Sequence, residues 1–127
     1  AYRRQRQMCI RDRVNTERKK AGLTELTWDD TVATAAMTRS KEIEKSFSHT
    51  RPDGRNFGTA ITDLGITYRG AGENIAWGQK TPEAVMNAWM NSEGHRANIL
   101  NPNFKKLGVG YRTDSQRTPY WTQLFTY

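Results

Sequence analysis

Apolar side chains at helical spacing predict the helices in the first half of the chain. Residues 14–21 are mostly strong helix formers followed by Gly22, and we expect this helix to begin further upstream. Small and apolar residues then recur every three to four positions between Val32 and Phe47, which predicts a helix over residues 29–45. Thr27 is the predicted N-cap of this second helix, because an acidic residue stands three positions after it.

Shorter signals follow in the middle of the chain. Residues 56–64 predict a short helix closed by Gly65, and the glycine-flanked segment 70–78 predicts a strand or an extended turn. Residues 81–83, Thr-Pro-Glu, are typical of a helix start, with a cap, a proline in the first position and an acid in the first turn. We expect that helix to stop near residues 92–94.

The last third changes to the two-residue period of a β-strand. Leu107, Val109 and Tyr111 alternate with glycine and arginine, and residues 120–127 form a second aromatic and β-branched run. The polar segment 113–119 between them is turn-like, so the two strands are predicted to form a hairpin. Helices followed by strands indicate the α+β class.

Composition and charge limit the classes of function. The 127 residues are 35% hydrophobic, and no apolar run approaches the roughly 18 residues needed to cross a membrane. The net charge is +7, but five arginines stand against one aspartate within residues 1–13. We therefore expect a solvated basic arm there and no binding of nucleic acid. Cys9 is the only cysteine, so no internal disulfide can form.

The N-terminal arm has a further peculiarity. Residues 8–13, Met-Cys-Ile-Arg-Asp-Arg, resemble the translation of a sequencing adapter. We divide the chain into this basic arm, a candidate for adapter-derived sequence over residues 1–13, and one domain over residues 14–127. The arm contains no apolar region of a secretion signal, so either a signal peptide has been removed or lost, or the protein is cytoplasmic.

The two histidines are the residues best suited to chemistry. His49 and His95 are both expected in polar, glycine-bounded loops; Glu93 stands two residues before His95, and Glu73 lies in the glycine-rich segment. Two imidazoles with one or two carboxylates suit a divalent ion such as zinc, with a position open for water. They also suit an acid–base pair. Histidines of a surface loop without such a role are the third interpretation, because no diagnostic metal-binding spacing is present.

Two longer motifs make the chain resemble the CAP superfamily, or SCP domain. This family includes cysteine-rich secretory proteins, antigen-five venom proteins and plant pathogenesis-related proteins. The motifs are Gly-Glu-Asn-Ile-Ala at residues 72–76 and Gly-His-Arg-Ala-Asn-Ile-Leu at residues 94–100. Shorter matches occur in order around them, at residues 14–18, 26–29, 47–49, 88–90, 108–111 and 120–123. The resemblance covers roughly residues 14–127 and is strongest to the short, cysteine-free bacterial branch.

The resemblance implies a three-layer α-β-α sandwich with a central antiparallel sheet. It also implies a cleft where two histidines and two acids meet, a site that binds zinc in several members. His49 and His95 match the family's histidines, and Glu73 matches the acid of the Gly-Glu-Asn motif. The family's second acid typically stands at the position of Ser92, so Glu93 is the nearest candidate for that ligand.

No common reaction unites the family, so the resemblance implies a binding role outside the cell or at the cell envelope. We predict a secreted protein whose metal ligands are the two histidines and two glutamates named above, with zinc as the expected ion. Asn74, Ser92 and Gln123 are predicted to line the ligand cleft. One alternative is a metal-dependent peptidase or esterase with Glu73 and Glu93 as catalytic groups, and another is a lipid- or sterol-binding module. The expected partner is a small molecule, a lipid or a cell-wall polymer, and we expect a monomer.

Overall fold

The computed structural model describes residues 2–127, which contain five helices and four strands. The helices are α1 (Tyr2–Lys20), α2 (Asp30–Lys45), α3 (Thr59–Thr62), α4 (Pro82–Met90) and α5 (Glu93–Ile99). The strands are β1 (Thr27–Trp28), β2 (Ala71–Trp77), β3 (Lys106–Thr113) and β4 (Pro119–Thr126). This composition confirms the predicted α+β class.

The four strands form one sheet in the order β1-β3-β4-β2. Strands β3 and β4 pair antiparallel from Lys106 opposite Thr126 to Thr113 opposite Pro119, which confirms the predicted hairpin. Strand β2 also pairs antiparallel with β4 and lies at the edge of the sheet. The two-residue β1 runs parallel to β3, so the sheet is mixed and not wholly antiparallel as the resemblance implies.

Helices cover both faces of the sheet, which confirms the three-layer α-β-α sandwich. On one face α2 and α3 enclose an apolar cluster of Val32, Ala35, Ala36, Ala60, Ile61 and Leu124. On the other face α1, α4 and α5 pack over a larger cluster that includes Ile10, Val14, Trp89, Ile99, Trp121 and Phe125. Burial of these side chains supplies the main favourable free energy of folding.

Two glycines of β3 allow α2 to approach the sheet closely. A Cβ at Gly108 would collide with the backbone nitrogen of Ala33, and a Cβ at Gly110 would collide with the carbonyl of Ala36. Because both obstacles are backbone atoms of a helix, neither can move aside. The contact therefore fixes the height of α2 above the sheet, and with it the position of Arg39.

The predicted bounds of α2 are confirmed to within one residue, but its N-cap and the last residue of its apolar stripe differ from the prediction. Asp29 is the N-cap, since its carboxylate accepts hydrogen bonds from the N–H groups of the second and third residues after it. The prediction of Thr27 as N-cap is wrong, because Thr27 pairs with β3 as part of β1. The helix ends at Lys45, so Phe47 lies outside it and is 50% exposed rather than part of the buried stripe.

The largest difference from the prediction is α5. The sequence predicts a loop around His95, because Gly94 is typical of a helix end. Instead the carbonyl of Ser92 accepts a hydrogen bond from the N–H of Arg96 at 2.8 Å and starts a new helix. In the predicted helix at residues 56–64, only Thr59–Thr62 is α-helical.

The segment interpreted as a basic arm is helical from Tyr2 onward and continuous with the predicted first helix. Gln7 and Ile10 are buried, and the side-chain amide of Gln7 donates to the carbonyl of Val109 at 2.7 Å. One face of residues 2–13 therefore packs on the sheet, which differs from a solvated tail. None of the helices within residues 2–127 is long and apolar enough to cross a membrane.

Candidate functional site

The edge strand β2 places two neighbouring polar residues on opposite faces of the sheet. Successive side chains of a strand point to opposite sides. Glu73 therefore faces α2, where it contacts Arg39, and Asn74 faces α5, where it contacts the backbone of His95. Both residues are buried, with exposed fractions of 4% and 0%. The two histidines approach this strand from different faces.

Arg39 and Glu73 form a buried ion pair. Arg39 Nε donates to Glu73 Oε2 at 2.7 Å and its Nη2 donates to Glu73 Oε1 at 3.2 Å, and neither side chain is exposed. Burial alone would lower the pKa of Arg39, but hydrogen bonds and charge attraction from Glu73 and Glu42 together outweigh that effect and raise it. A carboxylate is tolerated in the interior only with such a partner, so Arg39 is the group that compensates for the burial of Glu73.

His49 is held by this ion pair. Its Nδ1 lies 2.8 Å from Glu73 Oε1, and Arg39 also donates to the carbonyl of Ser48, the residue just before it. The hydrogen bond with Glu73 raises the pKa of His49, although partial burial opposes the shift. The imidazole is 58% exposed and projects from the loop that follows α2. His49 therefore combines a fixed Nδ1 with a ring that reaches solvent.

His95 is held by neutral groups. Its Nδ1 lies 2.9 Å from the hydroxyl of Ser92, and its backbone carbonyl accepts a hydrogen bond from Asn74 at 3.0 Å. Burial lowers the pKa of His95, and the positive charge of His49 lowers it further. His49 contacts Glu73 and the backbone of His95 contacts Asn74, so the structure brings the two histidines to neighbouring residues of the edge strand.

An amide network connects α5 to the sheet. Asn74 donates to Gln123 Oε1 at 2.9 Å, and Asn98 donates to Asn74 Oδ1 at 2.9 Å and to the carbonyl of Glu73 at 3.2 Å. Asn74 and Gln123 have no exposed area, so they lie beneath the site instead of lining a ligand cleft as predicted. Their role in the structure is to hold the backbone of His95 against β2.

Glu93 lies apart from the other predicted ligands. It is exposed and lines a separate hollow of α5 with Arg96 and Leu100. A separation of two residues turns Glu93 about 200° around the helix from His95. Across residues 2–127, no three His, Cys, Asp or Glu side chains are grouped so that they could hold a metal ion. The four predicted ligands are therefore divided: Glu73 with His49, His95 with Ser92, and Glu93 elsewhere.

The Nε2 atoms of His49 and His95 could bind a divalent ion that has few protein ligands. Each imidazole uses Nδ1 for its positioning partner, and within residues 2–127 neither Nε2 is hydrogen-bonded. Metal-binding histidines commonly have this arrangement, with one nitrogen on the metal and the other on a carboxylate, hydroxyl or carbonyl. Both oxygens of Glu73 already accept hydrogen bonds, so its contribution would be to orient His49.

Sequence reasoning missed Arg39, although the pattern contains a signal for it. Arg39 occupies the same helical stripe as Val32, Ala36 and Ile43, all of which are buried. A charged residue on an apolar stripe requires a buried partner of opposite charge. Glu73, in a glycine-rich segment expected to be extended, was available as that partner.

Comparison with known proteins identifies the relatives of this chain. Residues 11–125 match the CAP family, described as the cysteine-rich secretory protein family. The uncharacterized protein YkwD of Bacillus subtilis (strain 168) is 48% identical over 113 residues, which cover 87% of this chain and 43% of YkwD. The chain thus spans less than half the length of this relative.

Two solved structures share the fold. An extracellular protein containing a SCP domain from Bacillus anthracis str. Ames has a TM-score of 0.90 and 33% identity, covering 98% of this chain and 41% of that protein. An outer surface protein from Borrelia burgdorferi has a TM-score of 0.84 and 24% identity, covering 92% of this chain and 88% of that protein.

Proposed function

Because the chain belongs to the CAP, or cysteine-rich secretory protein, family, we propose that it acts outside the cell or at the cell envelope as a binding module. The descriptions of its structural relatives, extracellular in one case and outer surface in the other, support this location. We further propose that His49 and His95 together bind a divalent metal ion, with zinc as the preferred ion.

One observation carries the metal proposal. His49 is held through Nδ1 by Glu73, and His95 is held through Nδ1 by Ser92. The Nε2 atom of each ring is therefore left to bind a metal ion. Imidazole nitrogen is a preferred ligand of zinc, and water would complete the coordination shell. With two protein ligands, the ion would bind more weakly than at a closed structural site and would remain able to contact a partner.

Zinc calorimetry of the purified protein tests this proposal. We expect one-site binding that disappears in the double variant His49→Ala/His95→Ala. The affinity should fall as the pH is lowered, because a metal ligand must lose its proton and the pKa of His49 is raised by Glu73. A folded double variant that binds zinc as the wild type does would contradict the proposal.

A matched variant distinguishes this site from the four-ligand site predicted from the sequence. Glu93→Gln removes one exposed carboxylate from α5 without changing the size of the side chain. We expect its zinc affinity to equal that of the wild type, because Glu93 lines a different hollow. A tenfold loss of affinity in Glu93→Gln would instead support Glu93 as a ligand.

A second candidate function is acid–base hydrolysis of a peptide or an ester. The observation that favours it is the opposite direction of the two histidine shifts: Glu73 raises the pKa of His49, whereas burial lowers that of His95. Pairs of groups whose pKa values are separated by their surroundings are typical of acid–base sites. His49 would then act as the acid and His95 as the base.

Turnover of peptide and ester libraries tests this second function. We expect activity, if His95 is the base, to disappear in His95→Ala and to survive in Glu93→Gln. Activity that persists in the His49→Ala/His95→Ala variant would exclude the pair as the catalytic groups. The lipid- or sterol-binding alternative has no supporting contact of its own among the residues described above.

A further inference from the structure

A surface cavity lies where β2 ends, away from the residues that contact the two histidines. Strand β2 ends at Trp77, and the following turn leads through Lys80 to α4, which begins at Pro82. Together with Arg6 of α1 and Arg117 of the β3–β4 hairpin, Trp77 and Lys80 line an open cavity of about 730 Å³. That volume lies within the range of about 300–1,000 Å³ typical of ligand sites. None of the lining residues belongs to the histidine site.

Trp77 differs from the other large side chains of the sheet. It is 56% exposed, whereas Trp89 and Trp121 are almost completely buried. An exposed indole presents a flat apolar face and an N–H donor to solvent, which is the combination that stacks against the C–H face of a sugar ring. Packing of the domain does not account for placing a tryptophan there.

The cavity carries positive charge that is not neutralised. Within residues 2–127, none of Arg6, Lys80 and Arg117 forms an ion pair with a carboxylate. The nearby acid, Asp114, is occupied within the hairpin, where it accepts hydrogen bonds from Gln116, Thr118 and Tyr120. The three cations are therefore available to an anionic ligand.

One of these cations, Arg6, is held in place before any ligand binds. Arg6 donates to the carbonyl of Lys80 at 2.7 Å and stacks over the rings of Tyr111 and Trp121, at 5.0 and 5.7 Å from their centres. Its Nε is buried without a hydrogen-bond partner among the described residues.

We propose that this cavity binds an anionic carbohydrate chain, with a sugar ring on Trp77 and its carboxylate or phosphate groups on Lys80, Arg117 and Arg6. The pairing of one exposed indole with three cations favours a charged saccharide over nucleic acid, because single-stranded nucleic acids are bound by several aromatic side chains in a row. Tyr111, the other aromatic residue of the cavity, is only 9% exposed.

Calorimetry with three probes at low salt tests the proposal. Trigalacturonic acid carries rings and charge, maltotriose carries rings alone, and hexathymidylate carries bases and phosphate. We expect trigalacturonic acid to bind at least tenfold more tightly than either of the others and to weaken as salt is added. No saturable binding of trigalacturonic acid, equal binding of maltotriose, or tighter binding of hexathymidylate would overturn the proposal.

Variants locate the binding. Trp77→Ala and Lys80→Ala/Arg117→Ala should each lower the affinity for trigalacturonic acid at least tenfold, and Trp77→Phe should restore most of what Trp77→Ala loses. The control Lys20→Ala/Lys105→Ala removes two exposed lysines elsewhere and should change the affinity less than twofold. An equal loss in that control, or loss of binding in His49→Ala/His95→Ala, would overturn the assignment to this cavity.

Discussion

His49 and His95 are the same residue type and contact neighbouring residues of one edge strand, yet groups of different charge hold them in place. On the α2 face, His49 rests on a buried ion pair between Arg39 and Glu73. On the α5 face, His95 rests on a hydroxyl and on a network of neutral amides. The pKa of His49 is raised by its carboxylate partner, and that of His95 is lowered by burial.

This difference shows that the fold shifts the pKa values of the two imidazoles independently. A buried carboxylate stabilises the protonated form of the ring beside it, whereas a hydroxyl in a partly buried setting does not compensate for lost hydration. The alternation of β2 is the cause, because neighbouring residues 73 and 74 extend to different faces and meet different helices. The predictions below either remove this asymmetry or measure it.

The largest effect is expected from Arg39→Met, which removes the cation from the charged face. Glu73 would remain buried without its partner, and such a loss costs about 3–5 kcal/mol. Urea unfolding measures the change in the free energy of unfolding. Arg55→Met, which breaks exposed ion pairs with Asp53 and Asp63, is the control and should cost far less. Equal losses in the two variants would contradict a special role of Arg39.

A smaller loss is expected from Asn98→Ala, which breaks the neutral network of the other face. The buried Asn74 Oδ1 would lose its donor, at a cost of about 1–3 kcal/mol. Urea unfolding again gives the value, with Asn103→Ala on the exposed turn after α5 as the control. If Asn98→Ala destabilised the protein more than Arg39→Met, the ion pair of the α2 face would not contribute more to stability than the amide network of the α5 face.

The pH dependence of stability should have opposite signs for the two histidines. The raised pKa of His49 gives stability that is complete below its ordinary pKa and is lost as the pH rises through the raised one. The lowered pKa of His95 has the reverse effect: stability falls as the pH drops through its ordinary pKa, because the unfolded chain takes up the proton first.

Urea unfolding at about pH 5 and about pH 8, on either side of the ordinary histidine pKa, tests this prediction. His49→Ala should lose more stability at the lower pH than at the higher one. His95→Ala should show the opposite order. The effects should be small because both rings reach solvent, and the same order in both variants would show that the two environments do not differ as described.

The smallest effect on stability is expected from Ser92→Asp, which gives His95 a carboxylate partner like that of His49. The free energy of unfolding should change by less than about 0.5 kcal/mol at this partly exposed position. The pKa of His95 should nevertheless rise, as measured by NMR titration. Asn91→Asp adds the same charge one residue earlier and is the control; a rise of equal size there would mean that contact with Ser92 is unimportant.

The sequence predicted most helices and strands correctly, because the spacing of apolar residues along a helix or strand is visible in a short stretch of sequence. The alternation around Val109 predicted the hairpin, and the stripe from Val32 predicted α2. Helix α5 was missed because its seven residues are too few for a period to emerge and because Gly94 is typical of a helix end. Thr27 was misassigned since a two-residue strand is defined by its distant partner β3 and not by its own composition.

The site was predictable residue by residue but not as a set. The motif at residues 72–76 pointed to Glu73, the motif at residues 94–100 to His95, and the shorter match at residues 47–49 to His49; the structure brings His49 into contact with Glu73. Which face of β2 each residue occupies depends on the pairing of the sheet, and Glu93 is separated from His95 by the rotation of helix α5. Arg39 could have been found as a charged residue on an apolar stripe, whereas the pairing of Asn74 with Gln123 could not, because it joins segments 49 positions apart.

Nitrogen-15 NMR of the two imidazoles, with and without zinc, tests the central claim most directly. We expect His49 to carry its proton on Nδ1, against Glu73, and zinc to shift Nε2 of both His49 and His95. Zinc that shifts Nδ1 more than Nε2 in either ring, that shifts only one ring, or that shifts neither would contradict the claim that the two histidines form one metal-binding pair held from opposite faces of the sheet.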